Sequence, residues 1–410
     1  MTKKSYAKNT KSKTKGPWPV PKRGKIRAAL KKPSIKKKTY TPTPYVRHGQ
    51  VTVKFRAHRE RWGRSIQSFM SMSYPELVRV LQKDKILPNW EGQLCPRCGN
   101  GTLGKLKCTK ARNGWLHQCS GRGCKQYLQV DDFHPIFFRG SGNSVTPLNV
   151  QASILYAAVA GVSMQATHLI LDVDHKPVER IFHNLEVARA RYVQREEKHI
   201  VYGTSKGDTW MDVEADEVDL GKALEEDDEG KGKVVRWEQW CGIVERGRPS
   251  SLRLVRLNPP TTKTRAPGPG PIRKYDWKKI GTPLLSNRQV VLHTDGARAY
   301  KLKLPGLLHC NVVHKKKKTI VNKKVVWVKP HYTKVHKLKL PNKTILKVKS
   351  GTQIIDRFWA HVRNHIKHTP RAPGNHALTR KIRVAQFTYW FRTKNAWTTA
   401  GMMLDTLSHA

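Results

Sequence analysis

Acidic residues are scarce in this chain. Its 410 residues hold 29 Asp and Glu against 79 Lys and Arg, a formal net charge of +50. Self-repulsion of that size opposes compaction unless a polyanion neutralises it. Nucleic acid or an anionic membrane is the expected partner, and an ordinary metabolic enzyme is not. Long apolar runs are also missing. No stretch approaches the roughly 18 uninterrupted apolar residues of a membrane span, so no transmembrane helix is expected. The first residues, MTKKSYAKNTKSKTKG, carry charge without an apolar segment, so no secretory signal is expected. Cysteine is sparse and odd in number. There are seven, and five of them crowd between positions 95 and 124. That distribution fits a metal site in a reducing compartment and not a disulfide framework. Hydrophobic content is 38%, low for a wholly globular chain, so part of the chain is expected to carry no core.

The length suggests about two to four domains. Residues 1–65 hold 21 Lys or Arg and one acid, Glu60. We read residues 1–70 as a disordered basic tail, serving as a solubilising arm, a non-specific DNA contact or a nuclear-import signal. The expected location is the nucleus in a eukaryote, and otherwise the cytoplasm or nucleoid. Residues 71–135 read as a leading helix and the Cys cluster, and 145–198 as a helical segment. Residues 205–400 read as an α/β domain with a Lys-rich insertion at 312–350, which holds 13 Lys and no acid.

Cys95-Pro-Arg-Cys98-Gly and the pair Cys119 and Cys124 supply two close sets of thiols. Zinc takes four tetrahedral ligands, and two such knuckles brought together by a hairpin provide them. The second knuckle has four intervening residues where two are commoner. Cys108 and His117 are the substitutes for a ligand. With four thiolates bound the site would be closed, hence structural.

In the helical segment Gly161 punctuates the first helix and Asp174 is the N-cap of the last. That last helix carries Lys176, Arg180, His183, Arg189 and Arg191 around an apolar stripe of Val178, Ile181, Phe182, Leu185 and Ala188. This fits a helix-turn-helix whose second helix enters the major groove, with a packing module as the alternative.

Eleven of the 29 acids fall between Asp208 and Glu229. Asp216 and Glu217 end an alternating apolar run, Asp295 ends the strand VVLH before Gly296, and Asp356 opens the helix IIDRFWAHVRNHI. In that helix Ile355, Trp359, Val362 and Ile366 make the apolar stripe, and Asp356, Ala360 and Arg363 share another face. Three carboxylates from two strands and a helix can hold two Mg²⁺ ions for phosphodiester chemistry. Each Asp taken alone equally suits a cap or a turn.

The order of a leading helix, CPRCG, a helical segment, EADE, HTDG and IIDRFW resembles the ISXO-like insertion-sequence transposases and their Merlin-type relatives, from about Ser71 to Trp397. The resemblance implies a zinc ribbon and a ribonuclease-H-like α/β catalytic domain. It also implies a DDE-type triad that cuts and joins double-stranded DNA at transposon ends with Mg²⁺ or Mn²⁺, acting as a homo-oligomer on DNA. Asp216 matches the first acid, although Gly221 stands one place later than the family's Gly. Asp295 matches the second acid, with Tyr300 in its usual place, and Asp356 matches the third. His314 resembles the family's motif His. Gln353 stands where Asn is usual and Asp356 where Glu is usual. Lys315, Lys316, Lys317, Lys318 and Arg363 would contact phosphates, with Arg180 and Arg189 on the helical segment as further DNA contacts. The expected activity is DNA strand cleavage and transfer. The alternatives are an inactive, domesticated DNA-binding derivative and a basic RNA- or ribosome-associated zinc-ribbon protein.

Overall fold

The computed structural model describes residues 64–408, apart from 110–113, 125, 141–144, 206–208, 228, 229, 231, 314–316, 322, 323, 329 and 330. Most of the basic tail therefore lies outside the described residues. The chain begins with α1 (Ile66–Ser71) and α2 (Tyr74–Lys83), followed by β1 (Lys107–Thr109), β2 (Gly114–Gln118) and β3 (Tyr127–Leu128). Three helices follow, α3 (Leu148–Ala160), α4 (Met164–Leu171) and α5 (His175–Glu196). Then come β4 (Met211–Glu226), β5 (Lys233–Glu245), β6 (Arg253–Arg256), β7 (Thr261–Lys263), α6 (Lys274–Leu285), β8 (Val290–Thr294) and β9 (Leu307–Asn311). The Lys-rich insertion forms β10 (Lys317–Val321), β11 (Lys324–Val328), β12 (Lys334–Lys339) and β13 (Ile345–Ser350). Helices α7 (Gln353–His365), α8 (His376–Trp390) and α9 (Ala396–Ser408) close the fold.

Local chemistry explains several boundaries. Asp174 accepts the Lys176 amide at 3.1 Å and starts α5. Gly161, at φ 85°, ends α3 in the left-handed region that favours glycine. Both were legible in the sequence. The tail was read as reaching residue 70, but the order begins sooner. Ser65 and Ser68 form a reciprocal cap on α1. Phe69 is fully buried, with ring centroids 5.7 Å from Tyr156 and 5.5 Å from Trp397.

A mixed sheet organises residues 211–311, with order β6-β5-β4-β8-β9 and β7 pairing the far end of β5. β4, β8 and β9 run parallel, while β5 is antiparallel to β4 and β6. Alternation along β4 divides its side chains. Val213 and Ala215 join Ile243, Leu292, Trp277 and Tyr300 on one side. Val218 and Leu220 join a second core with Trp240, Phe358 and Trp359. That second core also takes in buried residues of α1, α2, α3, α5, α8 and α9. The helical segment read as a separate unit at 145–198 thus shares its core with the sheet's helical face, and the described residues fall in one compact unit. The reason is physical: α5 buries a stripe running from Val178 through Ile181, Leu185 and Ala188 to Val193, and α8 and α9 lie against it. Among the described residues no helix is long and apolar enough to cross a membrane.

Gly242 on β5 faces Asp216 in the ladder. A Cβ there would lie 2.7 Å from both Ile355 Cδ1 and Trp359 Cζ2. The glycine lets α7 lie directly on the sheet. Gly242→Ala should therefore destabilise the protein by about 1–3 kcal/mol in urea denaturation. Gly268→Ala, with open space around its Cβ position, should stay within about 0.5 kcal/mol. Equal stability of the two variants would contradict the close packing.

Candidate metal centres

The first centre is built by the β1–β3 region. The Cys95 amide donates to Gly101 O at 2.7 Å and the Gly99 amide to Cys95 O at 2.8 Å, folding the first knuckle. Gly99 supplies the φ of 70° that this turn needs. A bridge between Leu103 and Cys119 brings the second knuckle alongside. The sulfur atoms of Cys95 and Cys124 lie 3.9 Å apart, and those of Cys98 and Cys119 lie 3.7 Å apart. All four ligand atoms fall within 4.8 Å of one another. A tetrahedron with Zn–S bonds of about 2.3 Å has edges of roughly 3.8 Å, so the thiols fit such an ion. Amides of Asn100 and Gly101 pull the Cys98 thiol down to about 6. The Gly121 amide pulls Cys119 down as well, but burial and the neighbouring thiols carry it up to about 12. Cys98 and Cys119 are thus pushed in opposite directions, and a divalent ion that binds thiolates would remove that conflict. The two substitutes weighed for a ligand lie apart. Cys108 is exposed on β1 and sits opposite Trp115. His117 donates from Nδ1 to Gly104 O at 2.8 Å.

The second centre is acidic. The parallel ladder of β4 and β8 runs from Met211 opposite Val290 to Glu214 opposite His293. The same register carried two residues further sets Asp216 beside Asp295, just past the end of β8. Asp295 Oδ1 accepts the Ala297 amide at 2.8 Å, which fixes the turn. Asp356 stands in the first turn of α7, exposed, with Thr352 donating to its Oδ2 at 3.2 Å. As expected from the sequence, Ile355, Trp359, Val362 and Ile366 of that helix are buried, and Ala360 and Arg363 are exposed with Asp356.

A residue that sequence reasoning passed over holds this arrangement. Glu214, 1% exposed, accepts the Ile354 and Ile355 amides at 2.8 and 3.1 Å. Its other oxygen accepts Arg246 Nε at 2.7 Å. Thr352 gives α7 no side-chain cap, so the carboxylate from the sheet takes that role and complements the helix dipole. The available signal was position alone, since Glu214 and Asp216 share one face of β4. From α7, Trp359 Nε1 donates to Asp216 Oδ2 at 3.1 Å.

Burial pushes Asp216 well above the usual carboxylate range, and the charges of Glu217, Asp356 and Asp295 push it further. That repulsion ties the three aspartates into one electrostatic unit, and a divalent cation would relieve it. Among the described residues, a mutual approach within 4.8 Å is made by the four thiols and not by the three carboxylates. Glu217 lies on the opposite face of β4. It accepts the Ile272 amide at 3.1 Å and the Tyr300 hydroxyl, so it anchors the strand and is not the first acid of the set.

The expected DNA contacts separate. Arg180 is exposed, with its guanidinium 4.1 Å from the Phe138 ring centroid. Lys318 is exposed, 5.0 Å from the Trp327 ring. Arg189 is a correction. It turns inward against Phe387 at 5.5 Å, and burial pulls it down to about 10. Its place on the helix lies against α8 and leaves it half-buried, not on the open basic face. His314, Lys315 and Lys316 lie outside the described residues, and Lys317 is described only as a backbone position of β10.

No protein-family model, no curated protein and no solved structure matches this chain. The geometry and the sequence therefore carry the functional reading.

Two outcomes test the centres. Purified protein should hold one zinc per chain by elemental analysis; Cys98→Ala should lose it and Cys108→Ala should retain it. Zinc loss in both variants would reject the four-thiol assignment. At the second centre, a raised folded value means the neutral form of Asp216 is the stabilising one. Its contribution is full below the ordinary carboxylate value near pH 4 and is lost as pH climbs through the raised value. Without added Mg²⁺ or Mn²⁺, Asp216→Asn should raise Tm at pH 8 by about 2 °C or more and give no gain at pH 4. A lower Tm at pH 8 would show that the site's mutual repulsion is not a destabilising force.

Proposed function

We propose that this protein is a metal-dependent DNA transposase, cutting and joining DNA with Asp216, Asp295 and Asp356 of a ribonuclease-H-like domain. The single observation that carries the reading is Asp216, a half-buried carboxylate raised first by burial, then by Glu217 beside it and by Asp356 and Asp295, which arrive from a capped helix and a neighbouring strand. A stability role alone gives no reason to gather three like charges. Ligands of open α/β sheets bind beyond the carboxyl ends of parallel strands, which is where Asp295 stands. The motif order resembling the ISXO-like transposases supports the same reading.

Asp216, Asp295 and Asp356 would hold two Mg²⁺ or Mn²⁺ ions. Bound there, the ions supply an activated water or 3′-hydroxyl and stabilise the leaving oxygen of the phosphodiester. The chain's own residues do the positioning. Glu214 and Arg246 fix the helix that carries Asp356, and the Trp359 N–H orients Asp216. Arg363, exposed on the Asp356 face, would contact phosphate, and the Lys-rich insertion would draw DNA in. Sequence choice would fall to the four-cysteine ribbon and the exposed face of α5, where Lys176, Arg180, His183 and Arg191 lie. The protein would act on double-stranded DNA as a homo-oligomer.

The looser approach of the three carboxylates favours one second reading, a DNA-binding derivative that has lost cleavage. A nicking assay on supercoiled plasmid with Mn²⁺ separates the two. The transposase reading expects nicking by the wild type, with at least about a 100-fold fall for Asp216→Ala and Asp295→Ala. Retained binding with no nicking by the wild type would establish the second reading instead.

A further inference from the structure

The insertion between Asp295 and Asp356 carries a surface that the acidic centre does not use. Among the described residues β10 and β11 pair only with each other. Lys318 lies opposite Trp327, and Ile320 opposite Val325, so these four side chains share one face. That face is open to water: Ile320 is 74% exposed, Val325 60% and Trp327 57%. A free two-stranded hairpin is marginal in water, and nothing in the described fold covers its apolar side.

The charge around it selects the occupant. Residues 312–350 hold 13 Lys and no acid, so a partner must be a polyanion that also offers apolar faces. Nucleic acid does both. Paired bases hide their faces in the stack, whereas unpaired bases offer them to aromatic side chains. The topology places the hairpin in the segment of chain that joins the two elements carrying Asp295 and Asp356. The insertion leaves from β9, which runs parallel to β8 and ends alongside Asp295. It returns through Gly351 into α7, which carries Asp356.

We propose that β10–β11 is a base-stacking wedge for nucleotides unpaired next to the cleavage point. Trp327 is the stacking platform, Ile320 and Val325 extend it, and Lys318 meets a neighbouring phosphate. The inference rests on the reading of the acids as a DNA-cutting centre, but its test reads binding alone.

The experiment is fluorescence anisotropy of the full chain without added Mg²⁺ or Mn²⁺. The probes are a perfect DNA duplex and the same duplex carrying a short unpaired stretch. The wild type should bind the second probe more tightly. Trp327→Ala should remove roughly tenfold of that preference, and Trp327→Phe should keep most of it. Lys318→Ala should weaken both probes alike and lower the salt slope by about one. Equal affinity of the wild type for both probes overturns the proposal, as does an unchanged preference in Trp327→Ala. Loss of self-association in Trp327→Ala, with the preference intact, assigns the hairpin to contact between copies and also overturns it. A chain that keeps the preference yet nicks no plasmid rejects the catalytic reading and leaves the wedge standing.

Discussion

One buried carboxylate governs the geometry of this protein. Glu214 reaches from the central strand to the first amides of α7 while Arg246 holds its other oxygen. Arg246 in turn donates to the carbonyls of Lys349 and Gly351 at 2.8 and 2.7 Å, tying down the end of the insertion just before the helix starts. Sheet, insertion and helix meet at this point. Breaking a buried pair of this kind typically costs about 3–5 kcal/mol because a charge is left uncompensated. The same pair sets where Asp356 stands relative to Asp216, so stability and site geometry depend on one contact.

Scarcity of acid makes each buried acid informative. Glu238, 1% exposed, takes Arg256 with both oxygens at 2.6 and 2.7 Å and also receives the Gly374 amide and Trp240 Nε1. Glu197 meets Arg383 at 2.6 Å, and Asp212 meets His293 at 2.6 Å. Glu238 and Glu197 are partnered by arginines and Asp212 by an imidazole that burial holds toward its neutral form, and all three read as structural. The aspartate cluster is the exception, since its strongest electrostatic neighbours are other acids. A strongly basic protein with one locally acidic spot directs cations there and polyanions everywhere else.

Much of this was legible in the sequence where a local rule sufficed. Gly161 and Asp174 marked helix ends through cap chemistry, CPRCG marked the thiol cluster, and the VVLHTDG run marked a strand ending at Asp295. What escaped were effects of tertiary partners. Glu214 looks like any strand acid until α7 supplies unpaired amides. Arg189 reads as part of a basic face, yet α8 packs against that position of α5. The Lys-rich insertion was read by its charge, although Leu338 and Leu340, and then Leu346 and Val348, alternate with lysines as a half-buried strand requires. Leu346 and Val348 of β13 pack with Trp210 and Val291, a burial that the run of like charges drew attention away from.

The last helix clasps the first ones. Trp397 donates to Asp84 across 313 residues, and the Gly401 position would place a Cβ 2.0 Å from Asp84 O. During synthesis, α1 and α2 emerge long before their partner exists. At ordinary translation rates the wait is roughly 15–60 s. Tyr156 of α3 can reach Phe69 earlier, but the side of Phe69 that meets Trp397 stays uncovered for that time, so the nascent chain's exposure to chaperones and to premature association is set by the order in which the ribosome delivers these helices.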